Sequence, residues 1–398
     1  MAEDEAADLD SFEERVRQLR SAAVLAATRE AALAGFKELL ELEGDLHRIE
    51  SLDGARRARA VRGLHEVGLQ LLDVGLRAHP AGATPSGSLL AILEELELLN
   101  TLVYIEGETG GAAERLAAWM TETERSLPAF FAAISREEML LHELLGAMEL
   151  AHWIYTATAD QVPALGARAE ALWARWVAAA MTHPVAVGAL ALRDRARNAG
   201  WRYAEIEQHA TALAENGGAP AGSIIALMLG GEPPPFGPGQ DGEVRSGRTG
   251  CGATPVATLR PALSALELGP GDTFYDLGSG LGLPTLIAAL SSEATCHGVE
   301  YHRRYVERAE ENARQFGLSS VRFHCGDASA FDWTDGNKFY MFNPFPADVL
   351  ERVAARLLDL ARERPIRVAC YANRLPSPGF RLIHEAERVA VFEAGPIR

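Results

Sequence analysis

Four cysteines occur in 398 residues, and none stands in a Cys-x-x-Cys pair. Cys251, Cys296, Cys325 and Cys370 therefore make no paired redox or metal motif. Three of them lie in or beside strand-like stretches, so reduced, mostly buried thiols in a cytoplasmic protein are expected. No apolar run approaches the roughly 20 residues that a membrane span needs. The start, Met1-Ala2-Glu3-Asp4-Glu5, is acidic, whereas a secretory signal begins basic and then turns apolar. No repeat of fixed period is present. No stripe of lysine and arginine is present either, and phosphate backbones are bound by such clusters.

The formal charge is −17, and it is unevenly placed. Residues 1–240 hold about 35 acids and 20 bases, and residues 241–398 about 20 and 18. An acidic chain without a basic stripe argues against nucleic acid as a partner. A basic peptide or an amine suits the acidic half better.

From Asp10 to about Glu215 the chain reads helical, rich in Ala, Leu, Glu and Arg. Apolar residues recur at helical spacing in Phe12-Val16-Leu19-Ala23 and in Val61-Leu64-Val67-Leu71-Val74. Turn-forming breaks divide the region into eight or nine helices. Leu89–Leu102 is apolar on most faces, which places it at the centre of a bundle. Trp153, Tyr155, Trp173, Trp176, Trp201 and Tyr203 collect late in the region, as core packing or as the lining of an acceptor pocket. Glu138 and His142 have one helical spacing, too little for a metal site. A linker rich in Pro and Gly follows, centred on Pro233-Pro234-Pro235. The expected division is an all-α helical-bundle domain over 1–229, a linker over 230–247 and a second domain over 248–398.

The second domain alternates strands with helices, as a parallel doubly wound sheet does. Strands are expected at 273–277, 295–300, 321–325, 338–342 and 366–371. A closing hairpin is expected at 380–383 and 388–392. Ligands in such sheets bind at the carboxyl ends of the strands. Asp276, Glu300, Asp327 and Asn343 all fall there. After the first strand comes Gly278-Ser279-Gly280-Leu281-Gly282. The dinucleotide pattern G-x-G-x-x-G wants its third glycine at 283, where this chain has leucine. A loop of alternating glycines without that pyrophosphate seat suits S-adenosylmethionine (SAM). Asp276 is placed to hold the methionine ammonium, Glu300 the ribose hydroxyls and Asp327 the adenine amino group, with Ala328 supplying a backbone N–H.

On these motifs, residues from about 248 to 398 resemble a class I SAM-dependent methyltransferase. Asp276 to Gly282 matches the first motif, Gly298-Val299-Glu300 the second, Gly326-Asp327-Ala328 the third and Asn343-Pro344-Phe345 the fourth. The wording of the first two is also similar to the non-SET histone-lysine methyltransferase family. The resemblance implies a Rossmann-like seven-stranded sheet with SAM as cofactor. Its cofactor contacts would be Asp276, Gly278, Ser279, Gly280, Gly282, Glu300, Tyr301, Asp327, Ala328 and Asn343. Asn343, Pro344 and Phe345 would form the catalytic stretch, with no metal ion. That stretch resembles the Asn-Pro-Pro-aromatic motif of amino-directed enzymes, with the last two residues exchanged, so nitrogen is favoured over oxygen as acceptor. The expected acceptor is a peptide, a protein or a small molecule chosen by the helical domain, with neither nucleic acid nor membrane as partner. A SAM-binding regulatory protein and an O-methyltransferase of a small metabolite are the alternatives. The apolar bundle offers a surface for a homodimer. Tyr301, His302, His324 and Tyr371 are candidate bases, and Arg248 and Thr249 could meet the cofactor carboxylate.

Overall fold

The structure, a computed structural model, describes residues 14–22, 162–217, 220–230, 255–342, 347–371, 379–386 and 389–396, with single residues between 35 and 159 and at 345 and 375. Residues 231–254, which hold the expected linker 230–247 but for Gly230 and also Arg248 and Thr249, lie outside the described residues, as do most positions before 162 on which the all-helical reading depends. The chain divides into two compact units, Met1–Ala133 with Leu150–Trp173, and Ile134–Glu149 with Ala174–Arg398.

In the first unit, Leu19, Leu42, Val67, Met120 and Tyr155 are fully buried. Arg168 grips Glu124 with two parallel bonds, Nε to Oε1 at 2.8 Å and Nη2 to Oε2 at 3.0 Å. That fork geometry is the strong form of the pair.

The second unit is built on a sheet. Its described elements follow a helix α1 (Gly166–Ala180) whose residues are shared between the units. They are α2 (Pro184–Ala199), α3 (Tyr203–Gly217), α4 (Ala221–Gly230), α5 (Val256–Leu266), β1 (Thr273–Leu277), α6 (Leu283–Ser291), β2 (Thr295–Glu300), α7 (Arg303–Gln315), β3 (Val321–Cys325), β4 (Lys338–Phe342), α8 (Ala347–Ala361), β5 (Ile366–Tyr371), β6 (Arg381–Ala386) and β7 (Val389–Ala394). The first five strands coincide with the stretches expected from sequence. The sheet order is β3-β2-β1-β4-β5-β7-β6. All neighbours are parallel except that β7 runs antiparallel to both β5 and β6. This is a Rossmann-like, doubly wound sheet of seven strands.

The strand order reverses at β1. From β1 the chain steps outward to β2 and β3, then returns to place β4 on the other side. A crevice opens at such a switch point, outside the carboxyl ends of β1 and β4. Strands buried on both faces read as apolar runs, and β1 and β4 do.

One face of the sheet carries α5, α6 and α7. Helix α6 is buried from Leu283 to Leu290 because a second layer covers it. That layer is α2, α3 and α4. Its apolar member α4 buries Ile224, Ile225, Leu227, Met228 and Leu229 against its neighbours. Asn312 Nδ2 on α7 donates to the carbonyl of Gly230, which closes α4 onto the domain.

The other face carries α8, whose Val353, Ala354 and Leu357 pack with Tyr275, Phe339 and Met341. No helix joins β3 to β4. The connection 326–337 folds back instead, and Trp333 fills the core. Arg356 of α8 pins it by donating to the carbonyls of Ser329 and Phe331, with its guanidinium 4.1 Å from the Trp333 ring centroid. A cation over an indole adds to these charge-assisted bonds. Arg356→Ala should therefore destabilise the protein by about 2 kcal/mol. Arg356→Lys should recover little, since one ammonium cannot serve both carbonyls and the ring. Urea unfolding of the two variants checks this.

Candidate active site

The site is assembled at the carboxyl edge of β3-β2-β1-β4. Register aligns Asp276 of β1 with Gly298 of β2 and Tyr340 of β4, and Glu300 of β2 with Cys325 of β3. Asp276, Glu300 and Asp327 thus come to one edge, as expected. Asn343, Pro344 and Pro346 lie outside the described residues, and Phe345 is buried in the core.

The glycine loop is left-handed at three positions. Gly278, Gly280 and Gly282 have φ of 85°, 52° and 79°. A side chain there would be strained, which is the physical content of the alternating glycines. The loop is tied to β2 by main-chain bonds. The N–H groups of Gly278 and Ser279 both donate to the Val299 carbonyl, at 2.9 and 3.0 Å. Gly282 then caps α6, with Pro284 in the first turn.

Glu300 is the hinge of this arrangement. Its Oε2 accepts from the Gly280 N–H at 2.8 Å and its Oε1 from the His302 N–H at 2.9 Å. One carboxylate links the loop to the start of α7, where a helix N-terminus favours negative charge. Each oxygen keeps a further lone pair for a hydroxyl donor.

Asp276 is the second acid, and it is 1% exposed. Thr285 Oγ1 on α6 donates to its Oδ2 at 3.0 Å. Burial pushes its pKa up to about 7; the Thr285 bond works against the shift and the nearby Glu300 charge adds to it. A cation beside this carboxyl would restore its ionised form. A buried acid, an anchored second acid and a bare backbone loop fit the ammonium and hydroxyl groups of SAM.

The third acid is differently engaged. Asp327 Oδ1 accepts from Ser329 N–H at 2.9 Å and from Ser329 Oγ at 2.6 Å, forming an Asx-type turn. Ala328 is buried, and its carbonyl accepts from the Trp333 indole at 3.0 Å. Tyr301 is 39% exposed beside His302, their rings edge to face. His324 turns toward β2, where its Nε2 lies 3.0 Å from His297 Nδ1. Burial lowers the pKa of both imidazoles.

Two features escaped sequence reading. The first is Phe323, a wedge beneath the loop. A Cβ on Gly282 would come within 2.4 Å of its ring, and one on Gly298 within 2.5 Å. A glycine inside a strand signals such a close approach, but not what makes it. The second is Phe342. It ends β4, pairs in register with Tyr371 at the end of β5, and stacks on it with centroids 4.4 Å apart. The pair stands immediately before residue 343, at the mouth of the crevice.

Residues 268–355 match the family described as Methyltransferase domain. The 23S rRNA (uracil(1939)-C(5))-methyltransferase RlmD of Aeromonas hydrophila is 34% identical over 117 residues, 28% of this chain and 26% of that protein. The enzyme of the same description from Alkalilimnicola ehrlichii is 32% identical over 133 residues, 32% of this chain and 29% of that protein. The chain thus spans little more than a quarter of the length of the curated relatives it matches. Among solved structures, an RNA methyltransferase from Salinibacter ruber with S-adenosyl-L-homocysteine aligns with a TM-score of 0.33 at 22% identity, over 37% of this chain and 95% of that one. TrmN from Thermus thermophilus aligns with a TM-score of 0.31 at 22% identity, over 37% of this chain and 50% of that one.

The two curated relatives, both described as rRNA methyltransferases, overturn the expectation of a peptide, protein or small-molecule acceptor, and with it the exclusion of nucleic acid. The exclusion rested on net charge, which is a sum over the whole surface, and on the want of a basic stripe, although 193–202 holds four arginines against one acid. Most of the excess negative charge lies before residue 241, away from the segment that carries the motifs.

Two outcomes are expected. Gly298→Ala should weaken SAM binding by driving the new Cβ into Phe323, and Phe323→Ala in the same chain should restore part of it. Calorimetric titration of both single variants and the double variant measures the coupling. The second concerns pH. An unfolded Asp titrates near 3.9, so the folded ligand-free protein holds this proton more tightly. The stability that the protonated Asp276 contributes is full below about pH 4 and is lost as pH rises toward 7. Relative to Asp276→Asn, the wild type should lose stability across that window. A constant difference in denaturant midpoint would contradict the assignment.

Proposed function

From a class I SAM-dependent methyltransferase domain at the carboxyl end of this chain, we propose an enzyme that methylates RNA. The observation that carries this reading is the 32–34% identity with rRNA methyltransferases over the matched segments. It is supported by the aromatic pair at the mouth of the crevice. Phe342 and Tyr371 offer a flat apolar surface beside residue 343, and a nucleobase presents such a face to an aromatic ring.

SAM supplies an electrophilic methyl group on sulfur. The chain's own residues do the positioning. Glu300 holds the loop at Gly280 and keeps lone pairs for the ribose hydroxyls. The glycine backbone gives the ligand close access, and Asp276 stands beneath the loop as the counter-charge for its ammonium. Asn343 follows directly on Phe342 and is assigned to orient the acceptor, with the Phe342–Tyr371 pair bordering the base. Holding donor and acceptor at about 3–3.5 Å in a site closed to water supplies much of the rate gain.

The direct test is transfer of label from methyl-labelled SAM to total RNA. Label should appear in a ribonuclease-sensitive fraction. Label that resists ribonuclease and yields to protease would sink the reading. Tyr371→Ala should lower kcat/KM for the RNA by about ten- to a hundredfold, the scale of one base–aromatic contact. SAM affinity, measured separately, should stay within a factor of two or so of wild type, since no cofactor contact is removed.

A further inference from the structure

We propose that the cleft between α2 and α3 is a second RNA-docking site, which takes one unstacked base and its phosphate from a single-stranded stretch of the acceptor. This rests on RNA being the acceptor.

The cleft has a volume of roughly 340 Å³ and is lined by Gly188, Ala191, Leu192, Arg195, His209 and Leu213. Its floor is made of small and apolar residues. Gly188 lets the helices approach closely, since a Cβ there would sit 3.2 Å from the Leu213 methyls. Its rim is a stack. Trp201 lies flat on His209, centroids 4.1 Å apart and planes 11° apart, and the Arg195 guanidinium stands 5.6 Å from the Trp201 centroid.

Charge favours a phosphate at this rim. Within 193–202 the sequence places Arg193, Arg195, Arg197 and Arg202 against a single acid, Asp194. Arg193 and Arg197 share that acid, at 3.3 and 3.7 Å. Arg202 donates to the Ser292 carbonyl at 2.9 Å. Arg195 is exposed and forms no ion pair among the described residues. An aromatic ring in the lining (His209), an apolar floor and a guanidinium outside any ion pair among the described residues are of the kinds that bind single strands without reading sequence.

The position separates this cleft from the transfer site. Arg202 bonds to Ser292, just past the end of α6, whereas the glycine loop precedes the start of α6. Nine helical residues span about 14 Å. A small acceptor cannot occupy both places, but a folded RNA can, with one base at the crevice and another held here.

The test uses the full chain and a fluorescent single-stranded oligoribonucleotide of mixed sequence. Ala191→Trp fills the cleft from an exposed position, and Arg195→Ala removes the cation. Each should weaken RNA binding about tenfold, the scale of one lost stacking or charge contact. Arg195→Ala should also flatten the slope of log affinity against log salt by about 0.7, as loss of one phosphate contact on a single strand requires. Arg195→Lys should keep the slope. SAM affinity should be unchanged in all three, which also shows that they fold. Wild-type affinity in both Ala191→Trp and Arg195→Ala would overturn the cleft and leave the RNA acceptor standing. A wild type that neither binds nor methylates RNA would overturn both.

Discussion

The arrangement at the strand ends depends on where Glu300 puts its two oxygens. One holds the N–H of Gly280 and the other the N–H of His302, so a single side chain fixes the glycine loop, the end of β2 and the start of α7 together. A buried carboxylate must be hydrogen-bonded or it becomes costly. Here the groups that satisfy it are backbone, and backbone cannot move without moving the loop. The Val299 carbonyl adds two more main-chain bonds to the same loop. The loop is therefore held in place by the protein's own bonds, which is how preorganised sites limit the cost of binding.

The second constraint is volume. Phe323 fills the space under the loop so closely that neither Gly282 nor Gly298 has room for a methyl group. The glycines of the first two motifs thus serve packing as well as ligand approach. Asp276 is the exception to good packing chemistry. Burial, with the charge of Glu300 close by, raises its pKa to about 7 against the opposing bond from Thr285, so it keeps its proton well above the usual carboxylate range. That stored cost is what a cationic ligand group can relieve.

Helices α2, α3 and α4 belong with the sheet in packing. They cover α5, α6 and α7 and bury α6 from Leu283 to Leu290, although their composition resembles that of the chain before them. The proposed recognition surface then has two regions on one unit. The crevice at the strand ends is bordered by Phe342 and Tyr371, and the arginine-rimmed cleft lies toward the opposite end of α6.

Much of this was legible in the residues themselves. Strand and helix alternation depends on local periodicity, so β1 to β5 could be read directly. The acids at the strand ends and the glycine spacing follow from short stretches of chain, so the methyl donor could be read as well. The acceptor could not. Net charge is a property of the whole chain, whereas the proposed RNA would be met by a few rings and guanidiniums that fill only a small part of the surface. Phe323 under Gly282 and Gly298, and Phe342 on Tyr371, become neighbours only through folding. Sequence by itself determined the sheet, the loop and SAM, because each is encoded within a few consecutive residues. Tertiary structure alone decided which side chains prop the loop and which aromatic faces remain for the acceptor, because those contacts join elements far apart in the chain.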